Sequence, residues 1–153
     1  MLLNSDVISD TSCLILLSKI DELTLLKKVA GKVFITPEIQ KEFGKKLPSW
    51  IIIRKPSDIH YQRILEMDLD PGESSAIALS LDISDSVIII DDLKGRRIAD
   101  NLDLRYSGTL GLILKAKQEG VIESIKPVIA KINNTNFRFS EELIKFILEQ
   151  AGE

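Results

Sequence analysis

The residues of this chain best placed for chemistry are carboxylates that follow short runs of β-branched residues. Asp10 comes directly after Val7-Ile8-Ser9, and Asp91-Asp92 come directly after Val87-Ile88-Ile89-Ile90. In an open parallel sheet, ligands bind outside the carboxyl ends of the strands. Two such strands therefore present acids toward one crevice. Glu73, at a helix start, and Glu42, in the helix after the second strand, are candidates to join them. Three or four close carboxylates repel one another, and some must stay protonated unless a cation neutralises them. Oxygen ligands of this kind suit Mg²⁺ or Mn²⁺. With one or two such ions, the cluster can activate water and hold a phosphodiester.

Each acid also has a local structural role that competes with the chemical one. Asp10 precedes Thr11-Ser12 and is well placed to N-cap a helix. Asp70-Pro71-Gly72-Glu73 reads as a capping box, with Pro71 at the first helical position. Either Asp91 or Asp92 caps the helix beginning near Leu93, although an acid pair is more than a cap requires. Glu42 shares a helix face with Glu38 and lies beside apolar Phe43, at the edge of the core. Glu38 offsets the dipole of its own first turn and is read as structural. Asp6 stands at the opposite end of the first strand, outside the site.

Polar groups near these acids extend the set. The hydroxyls of Thr11, Ser12 and Thr109 are suited to orienting a water or a phosphate, or to local turn bonding, the reading favoured for Ser12. Lys94, Arg96 and Arg97 follow the Asp pair within about one turn. They neutralise backbone phosphates or form a solvated helix face. Thr11, Lys94, Arg96, Arg97 and Thr109 are thus the candidate nucleic-acid contacts.

The elements that carry these residues alternate between β-branched runs and helical patterns, the mark of α/β architecture. Strands are expected at Val7–Ser9, Val33–Ile35, Trp50–Arg54 and Val87–Ile90, with a short last one at Leu104–Tyr106. Leu14, Leu17, Ile20 and Leu23 place one helix after the first strand. Thr36-Pro37 opens another, with Ile39, Phe43 and Leu47 as its buried stripe. Further helices are expected at Ile59–Met67, from Pro71 with Ile77 and Leu81 inward, and at Lys94–Leu102. Three more follow at Thr109–Glu119, closed by Gly120, then Glu123–Ile132 and Ser140–Gln150.

Composition bounds the rest. The 153 residues are 44% hydrophobic and 28% charged, as expected of one globular domain spanning 1–153. No apolar stretch approaches the roughly 20 residues of a membrane span. Met1 to Asp6 lacks the basic region of a secretory signal, and Cys13 is the only cysteine. A cytosolic protein with no membrane partner is expected. The net charge of −3 argues against gripping nucleic acid by bulk charge. The 5% aromatic content argues against a stacking platform. His60, the only histidine, lies far in sequence from every acid, which disfavours a histidine-based hydrolase. Cys13 reads as a small buried hydrophobe. Gly108-Thr109-Leu110-Gly111 is too short for a phosphate-binding loop.

Four segments taken in order resemble a known family. Asp10-Thr11-Ser12 is similar to the opening of a PIN domain. So are Leu69-Asp70-Pro71-Gly72-Glu73 with the following Ser74 to Leu79, Ile89 to Ala99, and Gly108-Thr109-Leu110-Gly111, which resemble one predicted nucleic-acid-binding PIN-like branch. The resemblance runs from about Val7 to Gly152. It implies a three-layer α/β/α sandwich with a mostly parallel central sheet and Mg²⁺- or Mn²⁺-dependent RNA cleavage. Asp10 matches the first family acid, Glu42 the second, Glu73 the third, and Asp91 or Asp92 the fourth. Ile90-Asp91 stands where the common pattern has a strand ending in Thr, and Glu73 replaces a more usual Asp. Some members are VapC-like toxins restrained by an antitoxin. An antitoxin partner, whose helix covers a groove near the site, and a homodimer are therefore implied. The apolar stripe of the C-terminal helix packs on the domain, the favoured reading, or is offered to such a partner.

Two other functions compete. A PIN-like module that binds nucleic acid or protein without cleaving fits the negative charge and the departures at Ile90 and Glu73. A phosphate-ester hydrolase of the aspartyl-phosphate type needs Asp-x-Asp after the first strand, and Asp10-Thr11-Ser12 lacks the second Asp.

Overall fold

Val7, Ile8, Val33, Phe34, Ile35, Val87, Ile88 and Ile89 are all buried, as strands covered on both faces require. In the computed structural model, which describes residues 4–153, they form the centre of a five-stranded, all-parallel sheet. The strands are β1 (Asp6–Ser9), β2 (Val33–Ile35), β3 (Ile51–Ile53), β4 (Ser86–Ile89) and β5 (Tyr106–Ser107). Their order is β3-β2-β1-β4-β5, with Val7 in register with both Val33 and Val87. The chain builds outward from β1 to β3, then returns to place β4 on the other side of β1. The order therefore reverses between β1 and β4, which is the switch point where α/β sheets bind ligands.

Nine helices flank the sheet among the described residues: α1 (Thr11–Lys19), α2 (Thr24–Val29), α3 (Pro37–Phe43), α4 (Ile59–Leu65), α5 (Pro71–Ser80), α6 (Leu93–Asn101), α7 (Thr109–Gln118), α8 (Lys126–Asn133) and α9 (Glu141–Gln150). Helices α2, α7 and α9 pack as one group and α4, α5 and α6 as another, giving the expected α/β/α layers. Helix α3 bridges α1 and α5. Leu14, Leu17, Ile77, Leu79, Leu112 and Ile113 bring the helices into one core with the strands. Truncating Ile88 to Ala at its centre would cost about 2–5 kcal/mol. No helix of the described residues is long and apolar enough to cross a membrane.

Several boundaries differ from the sequence reading for local reasons. The first helical pattern is two helices, because Asp21 turns the chain through the left-handed region (φ 56°) between them. Leu47 is not part of the α3 stripe, since Gly44 (φ 69°) ends that helix. Leu81 lies past the end of α5 and is half exposed. Trp50 falls outside β3. Ile90 leaves the strand proper, yet it is buried and its N–H donates to Ser107 O at 2.8 Å. The last strand sits two residues later than expected, and α8 starts at Lys126, with Pro127 in its first turn.

Candidate functional site

Three aspartates stand at three helix N-termini around the switch point. Asp10 has extended backbone (ψ 171°) and its Oδ1 accepts the Cys13 N–H at 2.8 Å, capping α1. Asp70 Oδ1 accepts the Glu73 N–H at 2.8 Å, capping α5. Asp92 Oδ2 accepts the Gly95 N–H at 3.0 Å, capping α6. The local sequence dictates each cap, because an Asp in extended backbone supplies the oxygen that the first turn lacks. The pairing of β1 and β4 continues through Asp10 N–H to Ile89 O at 3.0 Å. This brings the capping acids to one place.

Asp10, Thr11, Ser12, Asp70, Glu73 and Asp92 line a small polar cleft of about 40 Å³. Asp10 is 4% exposed, and burial pushes its carboxyl up to about 7, with the charges of Asp91 and Asp70 adding to the rise and the Cys13 N–H opposing it. Glu73 is half-buried. Burial first, then hydrogen bonding and charge from Asp70 and the charge of Asp92, push it up to about 9. Its Oε2 is buried without a hydrogen-bond partner. Gly95 makes room there, since a Cβ at Gly95 would press on Ile90 and come within 3.3 Å of Glu73 Oε2. The Cys13 thiol is fully buried, and burial pushes its pKa up, in keeping with a packing residue.

The Asp pair divides its work. Asp92 faces the cleft, while Asp91 accepts the Thr109 N–H at 2.9 Å and the Thr109 hydroxyl at 2.6 Å. Arg96 joins this second cluster. Its Nη2 lies 3.8 Å from Asp91 Oδ1, its Nε donates to Ile90 O at 3.0 Å, and its guanidinium stacks over the Tyr106 ring. Thr109 is fully buried, so its hydroxyl serves a carboxylate.

Glu42 stands beside the cleft without lining it. Its Oε1 accepts the Thr11 hydroxyl at 2.6 Å, and its carboxylate lies against the backbone of Gly72. Lys94 and Arg97 are exposed on α6. Asp6 accepts from Lys32 N–H at 3.1 Å and Glu38 accepts from the Gln62 amide, both away from the cleft lining. Asp70 is the cleft acid that sequence reasoning passed over. Its signal was present, three residues before Glu73, but the same residue explains a cap.

A family model described as a PIN domain matches residues 6–153. The chain belongs to the PIN-domain family. No curated protein and no solved structure matches it. PIN domains are generally nucleases and typically use divalent metals. The cleft of this PIN domain suits such an ion in kind. Every polar side chain lining it offers oxygen, Glu73 Oε2 lacks a partner, and two carboxyls have raised pKa, so that a cation would compete with their protons. Among the described residues no three Asp, Glu, His or Cys side chains stand at metal-ligating spacing. Asp10, Asp70 and Asp92 each turn an oxygen to a helix N–H instead.

Proposed function

We propose that this chain is a single PIN domain spanning residues 1–153 and acts as a Mg²⁺- or Mn²⁺-dependent endoribonuclease. The observation that carries the reading is the cleft itself: four carboxylates gathered at the switch point, two of them with raised pKa. Asp10, Glu73 and Asp92 would hold the ion, with Asp70 beside them and Glu42 reaching it through Thr11 or water. When bound, a divalent ion supplies positive charge and Lewis acidity beside a phosphodiester.

The chain's own residues do the rest. Asp10 and Asp92 stay fixed by the helix N–H groups they cap, so the donor set is ordered in advance. Asp91, held by Thr109 and Arg96, fixes the end of β4 and hence the direction of Asp92. Thr11 orients Glu42. Lys94 and Arg97 offset phosphate charge that the acids alone would repel. A toxin role with an antitoxin over α9 is consistent with exposed Leu143 and Phe146 on that helix. A cytosolic setting fits the single buried Cys13.

Incubation of the protein with a pool of structured and single-stranded RNAs, in Mn²⁺, in Mg²⁺ and in EDTA, tests this. Metal-dependent cutting that Asp10→Asn abolishes supports the nuclease. Cutting by Asp10→Asn at the wild-type rate overturns the site. The second reading, a binding module without cleavage, is favoured by one observation: the capping aspartates point oxygens at backbone N–H groups, and no three acids stand at ligating spacing. It expects RNA binding that survives EDTA and no cutting with either ion.

A further inference from the structure

Strand β3 is a free edge of the sheet, and no described strand pairs with its outer side. The Arg54 N–H donates to Ile35 O at 2.9 Å, so the backbone groups of Arg54 and, two residues back, Ile52 face β2. Those of Ile53, between them, face outward. The Ile51 N–H is satisfied by Pro48 O at 3.2 Å. This leaves the Ile53 N–H and the carbonyls of Ile51 and Ile53 along the open edge. Ile52 and Ile53 are 39% and 42% exposed, so apolar surface stands on both faces of that edge.

The charges around this strand are all of one sign. Residues 44–56 hold Lys45, Lys46, Arg54 and Lys55 and no acid, on a chain whose net charge is −3. All four cations are exposed, and none enters an ion pair among the described residues.

We propose that β3 takes up an extended acidic segment of a partner protein as a further strand of the sheet. The outward backbone groups supply the ladder bonds, and Ile52 and Ile53 pack against alternate side chains of the incoming strand. The flanking cations select acids at the ends of that strand. A second copy of this chain is the poorer occupant, because pairing β3 with itself sets Arg54 and Lys55 among the cations of the other copy. RNA answers the cations and leaves the Ile53 N–H and both isoleucines unused. Strand β2 separates this edge from the switch point, so the surface is distinct from the acid cleft and from α9.

The test starts from a display library of random peptides about ten residues long, selected on the immobilised full-length protein. Selected peptides are expected to carry β-branched residues flanked by Asp or Glu, and to bind more weakly as salt is raised. The strongest is then synthesised and measured against wild type, Lys45→Glu/Lys46→Glu/Arg54→Glu/Lys55→Glu, and Ile53→Pro. Charge reversal should weaken binding about tenfold or more. Ile53→Pro removes an outward donor and no bond to β2. It should weaken binding about fivefold, the loss of one ladder bond, with a melting temperature near that of wild type. Amide exchange by NMR on wild type gives a readout that needs no variant to fold. The Ile52 N–H should be protected with or without peptide, and the Ile53 N–H only with it. An empty selection, selected peptides without acids, or Ile53 exchange unchanged by bound peptide overturns the proposal. A wild-type dimer that Ile53→Pro dissociates assigns the edge to a second copy. A short single-stranded RNA that binds the four cations more tightly than any selected peptide assigns them to nucleic acid. Either result also overturns it.

Discussion

Asp91 and Thr109 are joined twice, by the Thr109 N–H at 2.9 Å and by its hydroxyl at 2.6 Å. The N-cap position of α7 is Gly108, which has no side chain to offer. Asp91 therefore caps α7 from the end of the neighbouring strand, β4. A Cβ at Gly108 would come within 2.7 Å of Asp91 Oδ1, so glycine is what lets the two ends meet. Asp91→Ala should lower stability by about 1–2 kcal/mol, the range for a lost cap plus an unpaired buried hydroxyl. Asp92→Asn should cost only a few tenths, about the difference between equivalent caps, and should abolish cleavage. Urea denaturation alongside an RNA cleavage assay separates the two. A stable Asp91→Ala, or an active Asp92→Asn, refutes this division of labour.

Gly72 and Glu42 give a sharper separation of stability from activity. A Cβ at Gly72 would collide with the Glu42 carboxylate, the free end of an exposed side chain. The carboxylate can swing away, so Gly72→Ala should leave the melting temperature unchanged or raise it, in line with the helix preference of Ala over Gly. The same swing breaks the Thr11–Glu42 hydrogen bond. Cleavage should fall about tenfold or more, as small displacements at a reacting centre do. Glu42→Gln should match that loss, and the double variant should add nothing to it. Additive losses would show that Glu42 is not the target of the clash.

Glu153 ties the end of the chain to the turn before α8. Its carboxylate accepts from Ile125 N–H at 2.9 Å and from the Ser124 hydroxyl, and it pairs with Lys117 Nζ at 2.9 Å. Hydrogen bonds from Ile125 N–H, then Ser124 and Lys117, outweigh the opposing desolvation and hold the carboxyl down to about 2, against an ordinary 4.5. A lowered folded value means stability that is present above 4.5 and lost as pH falls through about 2. Glu153→Gln should therefore melt lower than wild type at neutral pH, with the gap closing as the solution is acidified through that window. A gap that is constant with pH would mean the ion pair contributes nothing.

These relationships mark where sequence alone reaches and where it stops. Val87 to Ile90 announced a doubly buried strand because solvent has no access to either face, and Asp10 at the end of β1 was placed by the same logic. Caps were legible because Asp-x-x-Glu and Thr-Pro act within one turn. Which of Asp91 and Asp92 faces the cleft was not, since the partner of Asp91, Thr109, is 18 residues away and meets it only after β5 is laid down. Asp70 was legible as a cap and therefore hidden as a cleft residue, the same oxygen pair serving either role. The break between α1 and α2 rested on Asp21 adopting positive φ, which its side chain permits without requiring. For Arg96 the sequence left a phosphate contact and a solvated helix face open, and its contacts with Ile90 and Tyr106 depend on the strand order.

The acid cleft predicts an unusual response to pH. Asp10 and Glu73 have folded values of about 7 and about 9, above their ordinary 3.8 and 4.5. A raised folded value means that the fold binds the proton more tightly than the unfolded chain does. The stability linked to these protons is complete below about 4 and is lost as pH rises to about 7 for Asp10 and about 9 for Glu73. In EDTA the melting temperature should thus fall between pH of about 5 and about 8, a range above the window in which Glu153 titrates. Asp10→Asn removes one titrating group and should make the decline shallower. Mn²⁺ competes with the same protons, so its stabilising effect should grow with pH over that range. Differential scanning calorimetry with and without Mn²⁺ reads all three quantities. A melting temperature flat with pH in EDTA would show that the carboxyls ionise freely in the cleft, and a Mn²⁺ effect that shrinks with pH would show that the ion binds elsewhere.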